Sequence, residues 1–266
     1  MTRSFADFHS HLVPGVDDGS RSLEESLHSI DRMVSAGVTR VITTPHYRAS
    51  LANQGEFEAY MAYLDRRWEK VQRAVADAYP HLDFRRGFEV RLDTPAPDLT
   101  DPRLRLGGTP FVLVEWSMFT APPGAPELLA RLAAAGHVPI VAHPERYAGI
   151  DEDLDAARAW KEAGALLQGN YGSLAGQNGP RARKVIFRML EEGLLDYLCS
   201  DFHGRPEYTF YLPDGATELT RRGGGGQLDL LGKVNPRRLF EGKQPHPVPP
   251  LQLDDPVNRI LHGFLT

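Results

Sequence analysis

The stretch SFADFHSHLVPGVDDGS, Ser4 to Ser20, decides the fold. Its first residues, Ser4 to Phe8, read as a short β-strand that runs out into D-x-H-x-H at Asp7, His9 and His11. Alternation along an extended chain aims these three side chains the same way, so two imidazoles converge on one point. Seven residues past His11, Asp18 sits on a loop with Gly15 and Gly19, where a carboxylate folds back over the strand end; Asp17 is its adjacent rival. No glycine-rich phosphate loop follows the strand, which argues against an open doubly wound sheet.

Six further β-rich runs follow: Arg40–Thr44, Asp83–Arg86, Phe111–Glu115, Pro139–Ala142, Leu166–Gln168 and Tyr197–Ser200. Helical patterns separate these seven candidate parallel strands. Leu23, Leu27, Ile30 and Val34 repeat with helical spacing behind Ser22 and Glu25, a capping box, and Gly37 ends that helix. A longer helix spans Glu56–Ala78, and shorter ones fit Glu127–Ala135, Asp153–Ala163 and Arg181–Glu192. Thr94–Pro110 carries four prolines and two glycines, so it predicts no regular crossover helix. The expected fold is α/β, a distorted TIM-like barrel in a single domain over residues 1–266. After Ser200 the pattern loosens: Arg221–Gly226 (RRGGGG) predicts a mobile loop and Lys243–Pro250 (KQPHPVPP) a proline-rich tail segment.

Five of these six later strands end in a potential ligand: His46, Glu89, Glu115, His143, then Asp201 with His203. In a β/α barrel the C-terminal strand ends open onto one face, so residues distant in sequence meet there. A single histidine after a strand is ordinarily a hydrogen-bonded structural residue. Five of ten histidines and four acids at strand ends instead imply one shared metal site, suited to manganese, iron or zinc. Asp7 reads as a partner that orients a ligand. His28, His81, His137, His246 and His262 read as solvated or packed. The single cysteine, Cys199, excludes an intrachain disulfide and a thiolate-built zinc site.

Arg146, in H-P-E-R after His143, and Arg205, shortly after His203, are placed to fork onto an oxyanion, with Arg48 a weaker third. Glu145 is a candidate ion-pair partner for Arg146. Cys199 and Arg205 also match the C-x(5)-R spacing of thiol-dependent tyrosine phosphatases. The intervening SDFHG contains an acid and little glycine, and Cys199 lies in an apolar strand, so the match reads as core.

The 266 residues are 41% hydrophobic, with a formal charge of −5 and a sequence pI of about 6.1. That balance gives no global basic field for nucleic acid or an anionic membrane, although a local basic patch is compatible with it. No apolar run reaches membrane-spanning length, so the expectation is a cytoplasmic protein without membrane insertion. The sequence carries no signal of oligomeric state.

The motifs DFHSH, VDDG, TPHY, GFEV, LVEW, AHPERY, GNYGSL and SDFH, in this order from Asp7 to Arg205, resemble the polymerase-and-histidinol-phosphatase (PHP) superfamily. Within it, DFHSHLVPGVDDGS, ITTPHY, AHPERY and QGNYGSLAGQNG resemble the bacterial manganese-dependent protein-tyrosine phosphatases of the CpsB/YwqE group. The resemblance implies a distorted (β/α)7 barrel (the PHP fold) and up to three divalent ions, manganese foremost, with iron or zinc as alternatives. It assigns His9, His11, Asp18, His46, Glu89, Glu115, His143, Asp201 and His203 as ligands, with Glu89 bridging two ions, and Arg146 and Arg205 as phosphate-binding. The segment joining His203 to Arg205 is shorter here than in the relatives.

The expected activity is phosphomonoester hydrolysis by metal-activated water without a covalent phosphoenzyme, with His203 a candidate proton donor. The resemblance implies a phosphotyrosine protein as substrate, a bacterial tyrosine kinase in capsule or exopolysaccharide control. The rivals are a histidinol phosphate-like small-molecule phosphatase, a PHP-type nuclease, and a catalytically silent metal-binding regulatory module.

Overall fold

The apolar runs form parallel strands in the computed structural model, which describes residues 4–53, 55–150 and 153–252. In chain order the elements are β1 (Phe5–Asp7), α1 (Leu23–Ser35), β2 (Val38–Thr43), β3 (His46–Arg48), α2 (Ser50–Asn53), α3 (Phe57–Ala78), β4 (Asp83–Arg86), β5 (Glu89–Arg91), β6 (Phe111–Glu115), α4 (Ala125–Ala134) and β7 (Val138–Ala142). They continue through α5 (Asp155–Glu162), β8 (Leu166–Asn170), α6 (Tyr171–Ala175), α7 (Gly179–Glu191), β9 (Tyr197–Cys199), α8 (Leu212–Arg221), α9 (Gly225–Asp229) and α10 (Asn235–Phe240).

Two of the seven expected staves continue past their expected ends into a further short strand, β3 and β5. Between β2 and β3 stands Pro45, which has no amide hydrogen to continue a ladder. Between β4 and β5 stands Gly87, where a Cβ would come within 2.9 Å of the Leu106 Cα. The pieces therefore fall into two all-parallel sheets, ordered β1-β2-β4 and β3-β5-β6-β7-β8-β9. The extended chain after β1 joins them. His11 N–H donates to Phe202 O at 2.8 Å, Asp201 N–H to His9 O at 2.9 Å, and Thr44 N–H to Ser10 O at 2.7 Å. The first and last staves thus meet, and the barrel closes through the segments that carry the histidines.

Alternation sorts the core into two layers. Phe111 and Leu113 join Ala6, Phe8, Ile42, Ile140, Ala142, Tyr197 and Cys199 in an inner cluster, plugged by Leu106, Leu239 and Phe240. Val112 and Val114 belong instead to the outer core beneath the helices, with Val41, Val141, Leu167 and Leu198. The Cys199 thiol is fully buried, and burial pushes its pKa well above the usual range, the opposite of a reactive thiolate. As expected, the connection from β5 to β6 has no α-helix and contains two short 3₁₀ turns. At α1, Ser22 accepts from Glu25 N–H at 3.2 Å, while the Glu25 carboxylate caps Arg21 N–H rather than that of Ser22.

The glycine-rich run is not the expected loop. Arg221 ends α8, Gly223 turns the chain at φ 88°, and Gly225 opens α9. Gly224 is required there because a Cβ would collide with Leu219, and Arg221 and Arg222 are both held by Glu218. The proline-rich segment has no regular structure, yet it is pinned: Asn235 bonds both backbone groups of His246, and Val248 is buried. His262 lies outside the described residues. No helix among the described residues is long and apolar enough to cross a membrane.

Candidate metal centre

The staves deliver their terminal side chains to one mouth. Glu89, at the start of β5, is the hub: its Oε1 lies 2.9 Å from His143 Nε2 and 3.3 Å from His9 Nε2, and its Oε2 lies 3.0 Å from His46 Nδ1 and 3.5 Å from His11 Nε2. Asp201 Oδ1 approaches His9 and His11 at 3.3 and 3.5 Å. Glu115 reaches His46 Nδ1 at 3.4 Å, and Asp18 Oδ1 lies 3.4 Å from both His46 Nε2 and His203 Nε2.

Four overlapping groups have ligand atoms close enough to share an ion: His11–Asp18–His46–His203, His9–His11–Asp201, His9–Glu89–His143 and His46–Glu89–Glu115. Together they comprise the nine residues named from the sequence. His143 (φ 37°) and Asp201 (φ 51°) hold their positions with left-handed backbones, which cost a non-glycine residue roughly 1–3 kcal/mol. Such strain at two members of one cluster points to function.

The donor set fits divalent cations. Among the described residues His9 Nε2, His11 Nε2, His46 Nδ1 and His143 Nδ1 are buried without a partner in hydrogen-bond geometry, the carboxylates beside the first three being close but misaligned, and nitrogens of this kind are costly unless something is bound. Burial disfavours a charged His9, but Glu89 and Asp201 outweigh it and raise its pKa; Asp17 likewise lifts His11 to about 10. Burial also opposes ionisation of Glu89, yet the imidazoles, led by His9, hold its carboxyl well below the usual range. A field that retains protons on clustered imidazoles also attracts metal ions.

The family model for capsular polysaccharide synthesis, CpsB/CapC, matches residues 5–241. The chain belongs to that family. The tyrosine-protein phosphatase YwqE of Bacillus subtilis is 27% identical over 261 residues, covering 97% of this chain and 99% of its own. The tyrosine-protein phosphatase CpsB of Streptococcus agalactiae is 29% identical over 206 residues, covering 74% of this chain and 82% of its own. A chain from the crystal structures of Bacillus subtilis YwqE and Streptococcus pneumoniae CpsB, described as metal-dependent tyrosine phosphatases, aligns at TM-score 0.78 and 24% identity, covering 93% of this chain and 99% of that one. The phosphotriesterase homology protein of Escherichia coli, solved with phosphate in its active site, shares the fold at TM-score 0.56 and 14% identity.

Around this CpsB/CapC cluster lies a set of orienting groups. Asp17 holds His11 Nδ1 at 2.8 Å and Gly19 N–H at 2.9 Å, so of the two adjacent aspartates it is Asp18 that faces the other ligand atoms. Gln168 accepts from His9 Nδ1 at 2.7 Å and donates to Asn170, and Asn170 donates to Asp201 Oδ2 at 2.9 Å. Arg91 grips Glu115 at 2.9 Å. Gln168, Asn170 and Arg91 are not among the candidate site residues read from the sequence, where Gln168 and Asn170 enter only within the motif QGNYGSLAGQNG, since an amide, or an arginine inside a strand, carries no ligand signature.

Among the described residues Asp7 bonds no imidazole, so it is not the orienting partner expected. It accepts from the amides of His9 (3.1 Å) and Ser200 (2.8 Å), stitching the first stave to the last, and burial raises its pKa to about 6. Arg146 donates to Asp201 Oδ2 at 3.0 Å and lies 4.0 Å over the Phe119 ring, while Glu145 turns away to Ser173 and Asn170. Arg205 Nε donates to Gly19 O at 3.0 Å, and among the described residues it makes no hydrogen bond to the nine.

The open side is defined by exposure. His9, His11, Glu89, Glu115 and His143 are buried, whereas the Asp18 side chain is 64% exposed and those of His46 and His203 are 24% and 23%. From that edge extends a cleft of about 580 Å³ lined by Asp18, His46, Arg48, Leu51, Tyr60 and Arg91, among others.

Proposed function

We propose that this chain is a metal-dependent phosphomonoester hydrolase acting on phosphotyrosine in proteins, with bacterial tyrosine kinases of capsule or exopolysaccharide synthesis as the substrate class. The observation that carries this reading is the nine-residue cluster of four overlapping ligand groups at the barrel mouth of a CpsB/CapC-family chain. Its relatives' names supply the phosphotyrosine, and the cationic rim supplies the phosphate.

His9, His11, Asp18, His46, Glu89, Glu115, His143, Asp201 and His203 would hold up to three divalent ions, manganese foremost, with Glu89 facing two groups at once. Bound there, the ions supply Lewis acidity toward phosphate oxygens and acidify water. Arg146, fixed by Asp201 and by the Phe119 ring, presents a cation to the equatorial oxygens. Arg205, tied to the Gly19 carbonyl beside Asp18, stands second to it.

When His203 Nδ1–H donates to the Asp201 carbonyl at 3.0 Å, Nε2 keeps its lone pair, which favours a ligand role over proton donation. A tyrosyl leaving group, with a conjugate-acid pKa of about 10, needs little acid assistance. The cleft beside His46 offers Leu51 and Tyr60 as apolar walls for the ring and Arg48 at its rim.

Purified protein with manganese should hydrolyse phosphotyrosyl peptides, and chelation should abolish the rate. Cys199→Ser should retain it, whereas His9→Ala with His143→Ala should lose both rate and metal. Cleavage of histidinol phosphate or single-stranded DNA in place of the phosphopeptide would overturn the assignment.

A further inference from the structure

Several grooves on this chain of net charge −5 are lined by arginines and lysines, and one of them lies beside the cleft at the barrel mouth. It measures about 520 Å³ and is lined by Arg21, Arg66, Arg67, Lys70 and Arg73, with Glu69 its one carboxylate and Pro14, Gly15 and Leu23 as its uncharged wall. Arg21 is neutralised by Glu25 (2.6 Å) and Glu207 (3.2 Å), and Arg73 lies 3.5 Å from Glu69. Arg66, Arg67 and Lys70 have no carboxylate partner among the described residues.

The groove adjoins the catalytic cleft. The loop of residues 14–18 separates them: Pro14 and Gly15 line the groove, while Val16, Asp17 and Asp18 line the cleft. Helix α3 runs beneath both, with Ala59 and Tyr60 in the cleft and Arg66 to Arg73 in the groove. It is fastened to this rim twice, by Tyr60 Oη donating to His46 O at 2.6 Å and Tyr63 Oη to Gly15 O at 2.7 Å. Between Tyr60 and Lys70 the helix rises about 15 Å, the reach of about five extended residues.

We infer that this groove is a docking site for an acidic segment of the polypeptide substrate, lying about five residues from the phosphorylated residue. The inference rests on the phosphoprotein reading above and adds a sequence preference to it. The groove's size suits a few residues of one chain. Among the described residues no aromatic side chain lines the groove, and Tyr63 on the same helix is covered by Arg67 at 3.7 Å, so a base finds no ring to stack on and a polypeptide is favoured over nucleic acid.

The test compares two phosphotyrosyl peptides that differ only in a run of glutamates or serines about five residues from the phosphotyrosine, placed on either side. With the manganese-loaded protein at low salt, the glutamate peptide should show roughly tenfold lower KM at similar kcat, an advantage that shrinks as salt screens it. Arg66→Glu with Lys70→Glu should erase the difference; the Arg66→Gln, Lys70→Gln pair serves if the reversal does not fold. Equal KM values for both peptides, or an advantage that survives substitution, overturns the docking site.

Fluorescence anisotropy of the unphosphorylated glutamate peptide reads the groove without turnover. Binding there with no hydrolysis of either phosphopeptide would uphold the groove and sink the phosphatase reading. Tighter binding of duplex DNA than of the peptide would overturn the choice of partner.

Discussion

At the scale of single residues, the cluster depends on groups that never touch its centre. His9 is presented by Gln168 Oε1 at 2.7 Å, which fixes Nδ1–H and leaves Nε2 toward Glu89 and Asp201. Gln168→Leu keeps the bulk but removes the acceptor, so the ring loses its preferred tautomer. Loss of such an outer partner typically weakens metal binding about 10–100-fold, and manganese titration by calorimetry should show a loss of that size with the fold intact by circular dichroism. Unchanged affinity would assign Gln168 to packing alone. The nine cluster residues were legible because imidazoles and carboxylates at strand ends are chemically conspicuous, but their supports were not. Asp7 and Asp17 were both conspicuous acids, and only position separates their work: Asp17 bonds an imidazole and Asp7 bonds two amides.

At the scale of elements, the seven staves were legible because six of the seven β-rich runs end in a histidine or carboxylate of the cluster, and the absent crossover helix because prolines crowd Thr94–Pro110. The break at Gly87 was not legible, since it depends on where Leu106 packs. The helices after Ser200 were hidden by glycines that suggest a loop in sequence but serve close packing. A Cβ on Gly215 of α8 would meet Tyr171 of α6, and one on Gly232 would meet Tyr171 and Phe5. Helix α8 is further tied to α7 by Glu218, which accepts from Arg183, Arg221 and Arg222. Those arginines, Arg221 first, lower the Glu218 carboxyl from its ordinary 4.5 to about 2. A depressed folded-state pKa contributes stability that is complete above 4.5 and is lost as pH falls toward 2. After allowance for solvent screening of the exposed arginines, Glu218→Gln should cost about 1 kcal/mol at pH 7, a fall in Tm of roughly 2–4 °C. The gap between variant and parent should narrow in thermal scans below pH 4.5; a gap that stays constant down to pH 3 would exclude Glu218 as its source.

At the scale of the whole molecule, the barrel's seam and its cluster of imidazoles and carboxylates are the same place. The first stave supplies His9 and His11, the last supplies Asp201 and His203, and among the described residues a few hydrogen bonds join the two: His11 N–H to Phe202 O, Asp201 N–H to His9 O, Ser200 N–H to the Asp7 carboxylate and the Ser200 hydroxyl to His9 O. An ion held by the group His9–His11–Asp201 would cross-link that seam. Because the unfolded chain has no such site, binding stabilises by mass action, about 2.7 kcal/mol at a free manganese concentration 100-fold above Kd. For a chain of this length that corresponds to a rise in Tm of roughly 5–10 °C. Calorimetry should show Tm climbing with the logarithm of manganese concentration and returning on chelation. Hydrogen exchange should show the gain concentrated at the amides of His11 and Asp201, more than at the outer helices. A Tm indifferent to metal, or protection gained evenly over the molecule, would mean that the ion pairs hold the seam by themselves and that metal serves only chemistry.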